Sequence, residues 1–231
     1  MPAAHGSAST GAQTNGLAAL TISYTINAGT NLVLYVGAGV DSNADRNPTA
    51  TYNGVAMTLV GETIGGASAQ PTALFRTINP ATGTHDVVIS TDFANANDHI
   101  VGIVQCFNDV DQTTPEINTV TRTSGASTTS SLDVTSSVGS LVIDVINMNS
   151  QAAVSDFAAD VSQSTIGESV SDGTSNGMGL GMSSEAGAAT TTMSWSFVSA
   201  SRVGHIATSL NAPAVATTPM NVSPLFILGM G

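Results

Sequence analysis

Four oxygen-bearing side chains, Asp41, Asn43, Asp45 and Asn47, alternate through a single loop of this 231-residue chain. Acceptors at alternate positions can wrap a hard cation such as calcium, which makes Asp41, Asn43 and Asp45 candidate metal ligands. The loop departs from an EF-hand, because its sixth position is Arg46 instead of glycine and its twelfth is Tyr52 instead of a bidentate glutamate. Asx turns account for the same residues without any metal. Asp109 and Asp111, flanking Val110 at the end of an apolar run, form a second and sparser acidic pair.

Other chemistry is thinly supplied. Nucleophilic hydrolysis needs a serine or cysteine on a sharp turn with a base nearby, and the expectation is a chain without a Gly-x-Ser-x-Gly elbow or its equivalent. The histidines are His5, His85, His99 and His205. In the adjacent pairs His85-Asp86 and Asp98-His99 the two side chains point to opposite faces of an extended chain, so a catalytic triad would have to assemble from distant residues. Zinc-ligand spacing, a phosphate loop and a dinucleotide fingerprint are all missing from the sequence. Cys106, the single cysteine, lies inside the apolar run 100–107 and reads as a buried, inert thiol. The expectation is a protein that is not an enzyme and has no cofactor, calcium at Asp41, Asn43 and Asp45 being the one candidate.

Composition narrows the partners. Only 9% of residues are charged, and the four cations, all arginine, face sixteen acids for a net charge of -12. Such a surface repels phosphate backbones and anionic lipid, so neither nucleic acid nor a membrane is an expected partner. The 42% hydrophobic content and the recurring apolar runs supply a core and argue against disorder. The first residues lack the basic and apolar regions of a secretory signal, which predicts synthesis in a cytoplasm without export by that route.

The elements that must position any site are strands. The run from Gly29 to Asp41 opens on a glycine turn and continues as a mostly apolar, β-branched stretch, and Gly139 to Asn147 repeats that design. Both predict central strands of a sandwich. Residues 17–26 alternate Leu20, Ile22, Tyr24 and Ile26 with Thr21, Ser23 and Thr25, as a half-buried strand does. Asn53-Gly54 is a type I′ hairpin signal. Further strands are predicted at 73–78, 84–91, 98–110, 132–135, 141–148, 191–197 and 203–210, with 119–131 as a connector and only weak strands within 154–182. Trp195 shares a face with Met193 and Phe197 and reads as core, leaving few aromatics for a sugar platform. No window sustains a helical stripe beyond two turns.

The two halves echo each other. Thr63-Ile-Gly65 answers Thr165-Ile-Gly167, Gly83 answers Gly187, Ile89 and Phe93 answer Met193 and Phe197, and Gly102 answers Gly204, all at offsets of 102 to 104 residues. That pattern suits an internal duplication. The fold expected is all-β: a single antiparallel two-sheet sandwich spanning 17–213, with pseudo-repeated halves at 17–115 and 119–213. Residues 1–16 read as a flexible arm and 214–231 as a C-terminal arm.

From Gly29 to Asn211 the chain resembles a jelly-roll-like module of phage virion proteins and large bacterial surface proteins. The resemblance rests on Gly29-Thr-Asn-Leu-Val33, Ala50-Thr-Tyr-Asn-Gly-Val-Ala-Met-Thr-Leu-Val60, Asn79-Pro-Ala-Thr-Gly-Thr-His-Asp-Val87, Val110-Asp-Gln-Thr-Thr-Pro115 and Ile206-Ala-Thr-Ser-Leu210. It implies a structural or adhesive role and transfers no functional residue. The expectation is a bacteriophage virion protein, a capsid decoration or head-fibre subunit located in the virion, homo-oligomeric and attached to the major capsid protein. The alternative is a secreted adhesin or carbohydrate-binding module. In the tail, Pro219 and Pro224 prevent a continuous helix. Leu225, Phe226, Ile227 and Leu228 then form an apolar quartet that needs cover. It is the candidate partner-binding segment, docking on a neighbouring subunit by strand addition or in a groove. A return onto its own sandwich is the other option.

Overall fold

The computed structural model describes residues 1–13, 16, 18–42, 44–66, 69–92, 98–171 and 177–214. In chain order the strands are β1 (Ala3–Gln13), β2 (Ala19–Ile26), β3 (Val33–Val40), β4 (Thr49–Tyr52), β5 (Val55–Ala56), β6 (Thr58–Thr63), β7 (Thr72–Ile78), β8 (Gly83–Ser90), β9 (Ile100–Asn108), β10 (Glu116–Thr135), β11 (Leu141–Asn149), β12 (Phe157–Ala159), β13 (Ser164–Val170), β14 (Met178–Ala186) and β15 (Thr190–Leu210). A single 3-10 turn at Val154–Asp156 is the only helical element among the described residues. The protein is thus all-β, and its sheets are antiparallel and packed as a sandwich.

The first half forms two sheets in the orders β1-β9-β3-β7-β6 and β2-β8-β4-β5. With β6 set aside as an extra edge strand, this is the interleaved eight-strand order of a jelly roll. The second half repeats it without a counterpart of β5. β10-β15-β11-β14-β13 forms one sheet, and the far ends of β10 and β15, joined by β12, fold over it as a second layer. The fold-over falls where the β10–β15 ladder is irregular, between Ser124 and Thr129, since extra residues in one strand bend and twist a ladder.

Each half therefore closes its own sandwich, which corrects the expectation of one two-sheet sandwich shared between them. Four layers stack, and their burial explains the sequence patterns. β2, in an outer layer, alternates exposed and buried residues along its whole length. β3, in an inner layer, is buried at every position, and β9 and β11 at all but their last. Inner strands are covered on both faces, so their sequences run continuously apolar. One core lies between the two sheets of the first unit and holds Ile22, Tyr24, Leu34, Val36, Phe75 and Ile89. A second joins the units, with Tyr35, Leu74, Ile103 and Phe107 packed against Ile143, Val145, Leu180 and Ile206. The second unit's interior holds Ile146, Met148, Phe157, Trp195, Phe197 and Val203, with Leu132, Val142 and Met193 alongside.

Two further expectations are corrected. Within the arm expected at 1–16, Ala3–Gln13 is an edge strand paired with β9 from Ala3↔Asn108 to Gln13↔Ile100. The connector expected at 119–131 lies inside the 20-residue strand β10. Of the repeat matches, Ile89 and Met193 occupy equivalent inward positions opposite Leu20 and Leu132. Gly102 and Gly204 do not, because Gly102 faces Ile89 and Ile22 inside the first unit while Gly204 faces Gln70, Thr63 and Thr72 at the junction. A one-residue change of register moves a side chain to the opposite face, so matching glycines need not be equivalent.

Candidate functional site

Asp144 is an acid in the middle of the apolar strand β11, and nothing of it is exposed. Its side chain points with those of Val142, Ile146 and Met148 into the interior of the second jelly roll. A buried carboxylate is tolerated only when its oxygens are hydrogen-bonded. Here four donors converge on it. Oδ1 accepts from the Ser183 backbone N–H at 2.9 Å and from the Ser183 hydroxyl at 2.6 Å. Oδ2 accepts from Trp195 Nε1 at 2.8 Å and lies 3.0 Å from His205 Nε2.

The network continues on both sides. His205 Nδ1 lies 3.0 Å from Ser130 Oγ, completing a Ser–His–Asp constellation assembled from β10, β15 and β11. On the other side Gln163 donates from Nε2 to Ser183 Oγ at 2.6 Å, and its Oε1 accepts from the Ser194 N–H at 2.7 Å. Packing holds these groups in place. A side chain at Gly181 would meet the Trp195 ring at 2.5 Å, so glycine there is what lets the indole lie flat on β14 and reach Asp144.

Geometry alone would allow Ser130 to act as a nucleophile with His205 as its base. Access does not, since Ser130, His205 and Asp144 are 1%, 0% and 0% exposed. The nearest surface depression, about 210 Å³ and lined by Thr129, Ser131, Asp160, Ser194 and Ser196, lies over Ser130 and Trp195, whose side chains turn inward from it. A wider hydroxyl-rich groove of about 410 Å³ lies beside it, where Ser162 donates to both Asp160 and Glu185.

The sequence-derived candidates are dispersed. Asp41 accepts from Gln70 Nε2 at 3.1 Å and lies 3.9 Å from an Arg202 guanidinium nitrogen across the junction between the units. Asp45 accepts from the Asn47 N–H at 3.0 Å, which is the Asx turn. Asn43 falls outside the described residues. Among the described residues no three acids, histidines or cysteines come together as a metal cluster. Asp111 caps its own turn by accepting from the Thr113 and Thr114 N–H groups, and Asp109 accepts from the Thr30 hydroxyl. Leu225, Phe226, Ile227 and Leu228 also lie outside the described residues.

Cys106 is buried as expected, and burial pushes its thiol up to about 12. Sequence reasoning passed over Asp144, although a lone acid in an apolar strand is the signal that partners must exist. It also passed over one Gly-x-Ser-x-Gly spacing, at Gly173, Ser175 and Gly177. That spacing leads into strand β14 instead of the helix an elbow requires, and Ser175 lies outside the described residues.

No family model matches the chain, and no curated protein does either. Function must therefore be argued from the site and the surface.

Proposed function

We propose that the chain is a structural subunit of a bacteriophage virion, a capsid decoration or head-fibre protein. The observation that carries this reading is where the chemistry sits. Among the described residues every Trp, Tyr and Phe is buried, from Tyr35 at 0% to Phe197 at 7% exposure. The Ser–His–Asp constellation is sealed in the same way. What reaches the surface is chiefly hydroxyls and carboxylates on long strands. Jelly rolls build both capsid and lectin domains, but carbohydrate-binding sandwiches usually expose several aromatics on one face, and among the described residues none is exposed. That favours the structural role over a secreted adhesin or carbohydrate-binding module. Likeness of fold enters here only as an analogy. Attachment is assigned to the apolar quartet Leu225, Phe226, Ile227 and Leu228, with the major capsid protein or a second copy of this chain as its acceptor. Calcium at Asp41, Asn43 and Asp45 is not needed for this role.

The test is to delete residues 219–231. The truncated protein should keep its melting temperature and lose co-sedimentation with particles or self-assembly. Loss of the fold, or unchanged assembly, would count against the tail as the attachment point. Dose-dependent binding of the full chain to one glycan on an array would favour the adhesin.

A further inference from the structure

The chain has one cysteine and no lysine, so neither an internal disulfide nor a lysine isopeptide bond can staple it. The Asp144 network offers a different covalent link. We infer that Ser183 and Gln163 join through an intramolecular ester, formed autocatalytically in the folded second jelly roll with Asp144 as the base.

Each required group is in place. The nucleophile, Ser183 Oγ, is fully buried and already directs its proton to Asp144 Oδ1 at 2.6 Å. The electrophile is the Gln163 carboxamide, whose Nε2 donates to the same oxygen at 2.6 Å, so that a turn of the side-chain amide is all that is needed to bring its carbonyl carbon under Oγ. Holding the two side chains side by side in the fold gives the pair a high effective concentration. Gln163 Oε1 accepts from the Ser194 N–H at 2.7 Å, a backbone donor aimed at the oxygen where negative charge would develop. Trp195 and His205 fix the far carboxylate oxygen, leaving Oδ1 to Ser183. Gln163 is 9% exposed and Ser183 0%, which limits the access of water to the product.

The step balances without a co-reactant. Ser183 Oγ adds to the Gln163 carbonyl carbon as its proton passes to Asp144. The tetrahedral oxyanion collapses, the carbon–nitrogen bond breaks, Asp144 returns the proton to nitrogen, and ammonia leaves. One carbon–oxygen bond replaces one carbon–nitrogen bond. The link would tie the start of edge strand β13 to β14. Gln151 and Ser201 supply an internal contrast. Their side chains are also 2.6 Å apart, but Ser201 donates to the carbonyls of Asn149 and Ser199 instead of a carboxylate, and Gln151 Oε1 has no donor. No link is expected there.

The experiment is a glutamate-specific digest of the folded full-length chain, denatured after incubation at neutral pH and read by mass spectrometry. Cleavage after Glu116, Glu168 and Glu185 places Gln163 in 117–168 and Ser183 in 169–185. The expected result is one linked species lighter by one ammonia, about 17 Da, than the sum of the two segments. Mild alkali should separate them. Linkage is the decisive readout, because a succinimide at Asn176-Gly177 would lose ammonia without joining the segments. Ser183→Ala and Asp144→Asn should each give separate segments. Two unlinked segments from wild-type protein with an intact β spectrum would overturn the inference, and an Asp144→Asn protein that links as fully as wild type would overturn the role of Asp144.

Discussion

At the scale of single residues, the fold is organised by acids that it keeps away from water. Asp41 and Glu116 sit at the junction between the units. Glu116 Oε1 accepts from the Tyr35 hydroxyl at 2.6 Å and pairs with Arg76 Nε at 2.9 Å. Burial raises the carboxyls of Asp41, Glu116 and Glu168 above their ordinary values. At Asp41 the Gln70 amide, His99 and Arg202 oppose it, and at Glu116 Tyr35 and Arg76 do. A folded carboxyl that holds its proton more tightly than the unfolded one adds stability below its ordinary value, and that stability is lost as pH rises through the raised folded value. The melting temperature should therefore rise on going from neutral to mildly acidic solution. Relief of self-repulsion at a net charge of -12 acts in the same direction. The substitutions Asp41→Asn and Glu116→Gln separate the two causes. They should flatten the pH dependence in a series of melts, and slopes as steep as the parent's would assign the effect to net charge alone. None of these partnerships could be read in sequence. Tyr35 and Glu116 are 81 positions apart, and Asp144 meets Ser183, Trp195 and His205 across 39, 51 and 61. Only tertiary packing brings such positions together.

Elements were legible where burial writes a pattern. The alternation at 17–26 became β2, the continuous runs became β3, β9 and β11, and Asn53-Gly54 turns β4 into β5 with φ of 49° and 75°. Where strands are held by backbone pairing more than by side chains, the pattern is missing. β1 is built of Ala, Gly, Ser and Thr with one His and one Gln, and its order comes from the ladder with β9. Gly11 on β1 is close-packed too, since a Cβ there would lie 2.8 Å from Ile22. β10 was opaque for the same reason, being mostly exposed along its Ser- and Thr-rich middle. If β1 is part of the sandwich, deleting residues 2–16 should lower the melting temperature and leave the edge of β9 unpaired, a template for strand addition between chains. Scanning calorimetry should show the loss, and light scattering should show self-association beyond that of the full chain. A truncated protein with an unchanged melt and the same state of association as the full chain would restore the reading of 1–16 as a free arm.

For the whole molecule, the question is whether the duplicated halves remain two domains. The first has a complete jelly-roll order and the second has it but for a counterpart of β5, so topology alone would let each fold separately. Packing argues otherwise. The inner sheet of the first unit turns Val33, Tyr35, Leu74, Val101, Ile103 and Phe107 towards the second, all buried there. At about 1.5–3 kcal/mol for each large side chain withdrawn from water, that face alone contributes roughly 10 kcal/mol. This is comparable to the whole stability of an ordinary domain, about 5–15 kcal/mol. Polar contacts fix the fit. Asn147 Nδ2 donates to the Val40 and Pro71 carbonyls at 3.1 and 2.7 Å, Thr72 Oγ1 donates to the Gly204 carbonyl at 3.1 Å, and a side chain at Gly37 would collide with Val145 at 2.6 Å. The duplication was visible in sequence, but the closure of each half on itself was not. A continuously buried strand looks the same whether its second face meets its own unit or another. The full chain should therefore unfold in one cooperative transition. Residues 1–115 and 116–214 expressed separately should aggregate or stay unfolded, and should regain β structure when refolded together. Two resolved transitions in the full chain, or a soluble isolated half with a sharp melt of its own, would mean that the junction is an ordinary domain contact and that each jelly roll is sufficient by itself.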